Sequence, residues 1–255
     1  NALKYINEEA NEYHVIAAGS LLGTYLAQPH SYPVGKVNLM DIYPMDFEEF
    51  LAATAPSLYD LIQKDDAETI SLFHDRFVDQ YNNYLIIGGM PECVSSWIEE
   101  KNSGIVGQIQ DDLIQLYEND ITKHSGRINS GRILLVFRSI VSQLSKENEK
   151  FIYGCVKEGA RAREFEDAIE WLVSAGMIIR VFNISKPEHL LKAFETLSSF
   201  KLFFFDTGLL KHMAGVSNES IISGADFQFK GPLTENYVCQ QLRGLFEVDA
   251  HYYSP

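Results

Sequence analysis

The stretch REFEDAIEWLVSAGMIIRVF, Arg163 to Phe182, changes its period in the middle, and that change decides the fold. From Arg163 to Ala175 the residues read as a helix, with Trp171 among apolar neighbours at helical spacing. Gly176 supplies the stop, and Met177–Phe182 is a β-branched, aromatic-rich strand. Upstream, a helix is expected over Ile133–Leu144 and a short one around Ile152–Val156; downstream, a polar loop containing Pro187 leads to a second strand, Lys201–Phe205. Three helices followed by a two-stranded ribbon is the order of a winged helix-turn-helix.

Further toward the C-terminus a short helix is expected over Asp206–Met213. A longer one follows over Pro232–Phe246, with Leu233, Tyr237, Val238, Gln241 and Leu245 along one side. His251-Tyr252-Tyr253 then reads as the start of a strand whose continuation is missing. At the other end, Asn1–Asn11 is consistent with the end of an amphipathic helix. His14–Ala18, closed by Gly19-Ser20, reads as a parallel strand covered on both faces. A short helix from Leu21, a loop marked by Pro29 and Pro33, and a strand over Val37–Ile42 come next. Pro44–Leu51 opens a helix in which Asp46 is the N-cap and Glu49 lies three residues on. This alternation is the tail of an α/β layer. Leu58–Ser125 is mostly helical, its apolar stripes (Leu72, Phe73, Phe77, Val78, Tyr81, Leu85, then Ile105 to Ile121) interrupted at Gly88-Gly89-Met90-Pro91. The fold class is therefore α+β, mainly helical, in four parts: 1–57, the tail of an α/β layer; 58–125, a helical lid or bundle; 126–205, a winged-helix module; and 206–255, the start of a further domain.

Charge divides along similar lines. Residues 1–125 carry six Lys and Arg against twenty Asp and Glu, while residues 126–200 carry eleven against nine. The net charge of −14 argues against a nucleic-acid protein taken whole, and the shift within it points to modules with different partners. No apolar run reaches the roughly 18 residues of a membrane span and no leader opens the sequence, so a cytoplasmic protein without a membrane partner is expected. Cys93, Cys155 and Cys239 lie far apart and read as buried free thiols. The seven histidines are scattered without i, i+4 pairing, so no metal site is expected, and adjacent carboxylates such as Asp111-Asp112 point apart on a helix. Trp97 and Trp171 read as core or partner-facing anchors. Neither the phosphate-cradling loop G-x-x-x-x-G-K-[ST] nor an acidic magnesium strand after it occurs between Asn1 and Pro255.

Six segments in order, Ala17-Ala18-Gly19-Ser20, Pro44-Met45-Asp46-Phe47-Glu48-Glu49-Phe50-Leu51, Gly88-Gly89-Met90-Pro91-Glu92, Tyr117-Glu118-Asn119-Asp120-Ile121, Phe205-Asp206-Thr207-Gly208-Leu209-Leu210 and Glu235-Asn236-Tyr237-Val238, carry a resemblance that covers essentially the whole chain. The set resembles the prokaryotic AAA-superfamily ATP-binding proteins that have a C-terminal domain of unknown function. The resemblance implies a fragment lacking the phosphate loop, in which 1–57 is the C-terminal remnant of a P-loop ATPase core, 58–125 its helical lid and 206–255 the truncated start of a restriction-endonuclease-like domain, with ATP and Mg²⁺ expected for the intact protein, no cofactor in this chain, and no ATP hydrolysis by the chain alone. It places Ser20 where such ATPases keep a polar sensor of the γ-phosphate; a Gly-Ser turn with local hydrogen bonds is the alternative. It places Lys36 where the family often has an arginine; lysine keeps the charge but lacks the planar fork, and a solvated loop lysine is the alternative. Glu235 falls at the acidic position of a restriction-endonuclease-like core, without the further carboxylates that two-metal chemistry needs.

Lys157, Arg161 and Arg163 form a basic cluster at the entrance to the Arg163–Ala175 helix, suited to phosphates and base edges if that helix enters a groove. Glu164, Glu166, Asp167 and Glu170 on the same helix oppose that use. A protein partner or a second copy of the chain is the other expectation for this module, and a nucleic-acid module acting without ATP or a structural oligomerisation piece are the alternatives for the whole chain.

Overall fold

The computed structural model describes residues 2–19, 38–64, 67–125, 129–146, 150–224, 226–246 and 249–254. It is an α+β protein, mainly helical, with one small sheet among the described residues. Ser20, Lys36 and the expected helix from Leu21 lie outside the described residues.

The period change at Gly176 has a hydrogen-bonded cause. The helix here called α10, Ala162–Ser174, ends with Gly176 at φ 71°, where Gly176 N–H donates to Val173 O (3.0 Å) and Met177 N–H to Leu172 O (3.0 Å). These two bonds are the paired closure of a Schellman motif, and the left-handed residue turns the chain out of the helix. Strand β1, Ile178–Ile184, starts at once and pairs antiparallel with β2, Glu195–Phe204, from Ile178 opposite Phe204 to Phe182 opposite Phe200. A bulge between Phe182 and Asn183 shifts the register to Thr196 and Glu195. The ribbon gains a third strand: β3, His251–Tyr252, lies parallel to β1 on its other edge, giving the order β2-β1-β3. α10 buries Phe165, Ala168, Ile169, Trp171 and Leu172, so Trp171 is a core residue. Two helices precede it, α8 at Ser130–Ser145 and α9 at Tyr153–Val156.

The N-terminal half is helical, with α1 at Ala2–Glu9, α2 at Phe47–Thr54, α3 at Pro56–Gln63, α4 at Ala67–Leu72, α5 at His74–Ile87, α6 at Pro91–Glu100 and α7 at Ser103–His124. Asp46 caps α2 through the expected box: its side chain accepts from Glu49 N–H (2.8 Å), and Asp46 N–H donates to Glu49 Oε2 (3.0 Å). The expected stripe from Leu72 to Leu85 splits, because the chain turns at Phe73 between α4 and α5; Leu72 and Val78 face solvent while Tyr84 and Leu85 are buried. The strands expected at His14–Ala18 and through Asn38–Ile42 are absent: both stretches are irregular and exposed, Ile16 by 98% and Ile42 by 87%. A parallel strand is stable only between paired neighbours, and no described strand lies beside either stretch.

The C-terminal part holds α11, Thr207–Met213, α12, Asn218–Ile222, and α13, Lys230–Phe246. One hydrophobic cluster runs from Phe50 through Tyr84, Ile121, Phe137, Leu172 and Phe204 to Cys239. Residues from all four parts of the sequence thus share a core. Among the described residues no helix is long and apolar enough to cross a membrane.

Candidate functional site

At the turn after α5, Gly88 (φ 79°) closes the helix by donating to Tyr84 O (2.8 Å), and Gly89 meets two distant segments at once. Its carbonyl accepts from Met45 N–H (2.8 Å), and its N–H donates to Asp206 Oδ2 (2.7 Å). A Cβ on Gly89 would fall on the Met45 carbonyl oxygen, one on Gly88 on the Asp206 carboxylate, and one on Gly208 on the backbone of Ile87 and Gly88. Glycine is required here by close approach of backbone to backbone.

A buried polar network surrounds this contact. Asp206 caps α11, its Oδ1 accepting from Leu209 N–H (2.8 Å). Thr207 donates to Gln240 Oε1 through both its backbone N–H (2.8 Å) and its hydroxyl (2.7 Å). Asn236 accepts from Phe204 N–H (2.7 Å) and donates to Thr207 Oγ1 (3.2 Å). The Tyr84 hydroxyl donates to Met45 O (2.6 Å) and accepts from Gln240 Nε2 (2.9 Å) and Gln241 Nε2 (3.1 Å), while Gln241 Oε1 accepts from Phe47 N–H (2.7 Å). Gln110 on α7 donates to Ile86 O (3.0 Å) and Ile87 O (3.1 Å). Tyr84, Asp206, Thr207 and Asn236 are fully buried, so each of these groups would be costly to leave unpaired. Edge-to-face rings pack beside the network: Phe50 with Tyr84 at 5.3 Å, Tyr81 with Tyr237 at 4.9 Å, and Tyr117 with Phe205 at 5.1 Å.

Electrostatically the junction is dominated by one fully buried carboxyl. Burial pushes the Asp206 carboxyl up to about 6, against the downward pull of N–H donors from Leu209, Gly89 and Gly208 and of the Gln240 side chain. Burial also raises the Tyr84 hydroxyl well above its ordinary value, with the Asp206 charge adding to the shift. No described lysine, arginine or histidine forms an ion pair with Asp206.

The residues singled out in the sequence lie elsewhere. Lys157, Arg161 and Arg163 are all exposed; Arg161 occupies the N-cap position of α10, where its N–H donates to Glu164 Oε2 (2.8 Å). Glu164, Glu166 and Asp167 are exposed too. Glu235 is exposed on α13 and pairs with Lys201 Nζ (3.2 Å), which also stands 5.4 Å over the Tyr252 ring. Cys93 and Cys239 are buried, Cys155 is half-buried, and all three are free. Among the described residues no three His, Cys, Asp or Glu side chains are grouped to hold a metal ion. A shallow groove of about 710 Å³ runs along α8, with Ile114, Val141 and Met213 in its lining; of its charged residues, His212 pairs with Asp111 (2.7 Å), Arg138 with both oxygens of Glu118 (2.6 and 2.7 Å), and Lys146 Nζ lies 3.5 Å from Cys155 Sγ.

What the junction does bring together is five of the six motif segments, through Met45 and Phe47, Gly88 and Gly89, Tyr117, Asp206 to Gly208, and Asn236 and Tyr237; of the remaining segment, residues 17–19 are exposed and Ser20 lies outside the described residues. Tyr84, Gln110, Gln240 and Gln241 belong to it without having been expected. The adjacent glutamines Gln240 and Gln241, both buried on α13, are the signal that could have found it.

Residues 78–220 match a family described as a domain of unknown function, DUF8612, and the chain belongs to that family. The matched span contains the Gly88–Gly89 turn and Asp206–Gly208, which places the centre of the junction inside the family's own segment. No curated protein and no solved structure matches the chain.

Proposed function

We propose that this chain is the coupling portion of an AAA-superfamily ATP-binding protein, which transmits nucleotide state from the Pro44–Phe47 segment to the ribbon and the C-terminal helix. The observation that carries the reading is the convergence of the motifs: residues up to 194 positions apart, Phe47 and Gln241, are hydrogen-bonded within one buried network. A segment moved at Met45 pulls on Gly89 and Tyr84, and through them on Asp206, Gln240 and Gln241. In this reading α8, α9, α10 and the β1–β2 ribbon are a winged helix-turn-helix, and α13 with β3 begins a restriction-endonuclease-like core. ATP and Mg²⁺ belong to the intact protein, Ser20 and Lys36 are its nucleotide-sensing candidates, and the chain alone hydrolyses nothing. Direct nucleic-acid binding would rest on the exposure of Lys157, Arg161 and Arg163, beside equally exposed carboxylates.

Two measurements test the reading. Calorimetric titration of these 255 residues with ATP and Mg²⁺ gives no micromolar binding, because nothing in the sequence cradles a triphosphate. Hydrogen exchange of the full natural polypeptide carrying these residues, with and without ATP and Mg²⁺, gives altered protection at Gly89 and Thr207. Micromolar binding in the first, or an unchanged junction in the second, contradicts it.

A further inference from the structure

The groove along α8 lies between two helices of opposite charge. α8 and the residue after it carry Arg132, Arg138 and Lys146 and no acid, whereas α7 carries Asp111, Asp112, Glu118 and Asp120 ahead of Lys123 and His124 in its last turn. The two helices lie side by side and antiparallel: Glu118 meets Arg138, while Asp111 and Ile114, earlier on α7, line the groove with Val141, Ser145 and Lys146, later in the chain. Half-buried Ile114, Val141 and Met213 supply its apolar part. The hydroxyls of Ser142 and Ser145 donate within α8, to Ser139 O (2.8 Å) and Val141 O (2.6 Å), so these small side chains leave room for an approaching helix and bring no unpaired donor to it. At the Lys146 end two charges of opposite sign face outward. Asp111 is 72% exposed and bonded to His212 through one oxygen; Lys146 is exposed, lies beside the Cys155 thiol, and forms no ion pair among the described residues.

We propose that this groove is the interface of a homodimer: α7 of each copy lies along α8 of the other, the two apolar linings meet, and Asp111 of each copy pairs with Lys146 of the other. The occupant follows from the charge pattern. A two-fold axis lying in the interface and running along the groove exchanges the two walls while keeping the position along them. Each α7 acid then meets the α8-side base at its own level, Asp111 against Lys146 and Glu118 against Arg138. The levels match because Asp111 to Glu118 and Arg138 to Lys146 are nearly equal rises along antiparallel helices. Arg138 binds the Glu118 of its own copy through Nε and Nη2, and Nη1 remains for the Glu118 of the second copy. A partner of a single sign would be opposed by one wall of the groove; a second copy is attracted by both. The result is two antiparallel helix pairs packed face to face, as in a four-helix bundle. The pairing rests on α7, α8 and Met213 and stands whether or not the chain serves an ATPase.

The test is sedimentation equilibrium on this chain and on two charge reversals at exposed side chains, Asp111→Lys and Lys146→Asp. The wild-type chain is expected to associate reversibly to a dimer and no further. Each variant alone sets like charge against like at both cross-pairs and weakens the dimer roughly tenfold. An equimolar mixture of the two variants restores opposite signs at both cross-pairs, because each supplies the charge the other has reversed, and it recovers the wild-type affinity as a heterodimer. A wild-type chain that stays monomeric at every concentration or assembles beyond a dimer, a dimer that neither reversal weakens, or a mixture that associates no better than its components overturns the proposal. Should a reversal fail to fold, Lys146→Gln removes one charge from each cross-pair and weakens the dimer roughly threefold; an unchanged dimer then overturns it.

Discussion

Gly89 has room for hydrogen and nothing else. The carbonyl of Met45 occupies the space a methyl group would need, and that carbonyl is held in place by the Tyr84 hydroxyl at 2.6 Å. Gly89→Ala must therefore move backbone on one side or the other, and both sides are fixed: Gly89 O to Met45 N–H, Gly89 N–H to Asp206. The expected cost is about 3 kcal/mol, at the upper end for overpacking, because hydrogen bonds break with the displacement. Urea unfolding of the variant measures it directly; a loss under about 0.5 kcal/mol, the scale of an ordinary surface change, would show that the turn is not closed as described. The same crowding explains why the junction could be recognised only in part from sequence. The glycines and Asp206 stood out as motif residues, but a sequence does not state which backbone lies within reach of which. Tyr84, Gln110, Gln240 and Gln241 look like ordinary members of amphipathic helices until the fold brings their polar ends together.

Among the elements, those closed by local chemistry were legible, and the ribbon strands were too, whereas an apolar run by itself did not establish a strand. The helix that ends at Gly176 is local: its Schellman closure uses residues Leu172 to Met177, all visible in the period change. Gly176 sits in open space, with nothing within 4 Å of where a Cβ would lie, so Gly176→Ala tests the backbone conformation alone. It should lower stability by about 1 kcal/mol, the cost of forcing a residue with a Cβ to φ 71°. A neutral result in chemical denaturation would contradict the left-handed stop. The capping box of α2 was equally local, and it appeared where Asp46 and Glu49 placed it. The strand expected at His14–Ala18 was not local in this sense. Its apolar run fits a sheet interior, yet a strand exists only through its neighbours, and the only described sheet lies at the other end of the sequence, between residues 178 and 252. β3 shows the converse: two residues that pair with β1 at Phe182 and Asn183 gain strand geometry from the ribbon beside them.

Across the whole molecule the charge shift near residue 125 and the change of helical rhythm suggested separate modules, whereas packing is continuous. α7 and α8 are joined by the Glu118–Arg138 pair, Tyr117 meets Phe205 edge to face, and the Gln240–Tyr84 bond links α13 to α5. The exposed ion pair adds little by itself. The core beneath it, shared from Phe50 to Cys239, is what makes the parts cooperate. The two tryptophans report on this from opposite sides, Trp97 on α6 in the helical half and Trp171 on α10 beside the ribbon. Urea unfolding followed by fluorescence in Trp171→Phe, which leaves Trp97 as reporter, and in Trp97→Phe, which leaves Trp171, is the most direct test of the junction as the centre of the fold. The account predicts that adding Gly89→Ala to either background lowers the transition midpoint by the same amount at both reporters. A shift seen by Trp97 while Trp171 keeps its midpoint would contradict it.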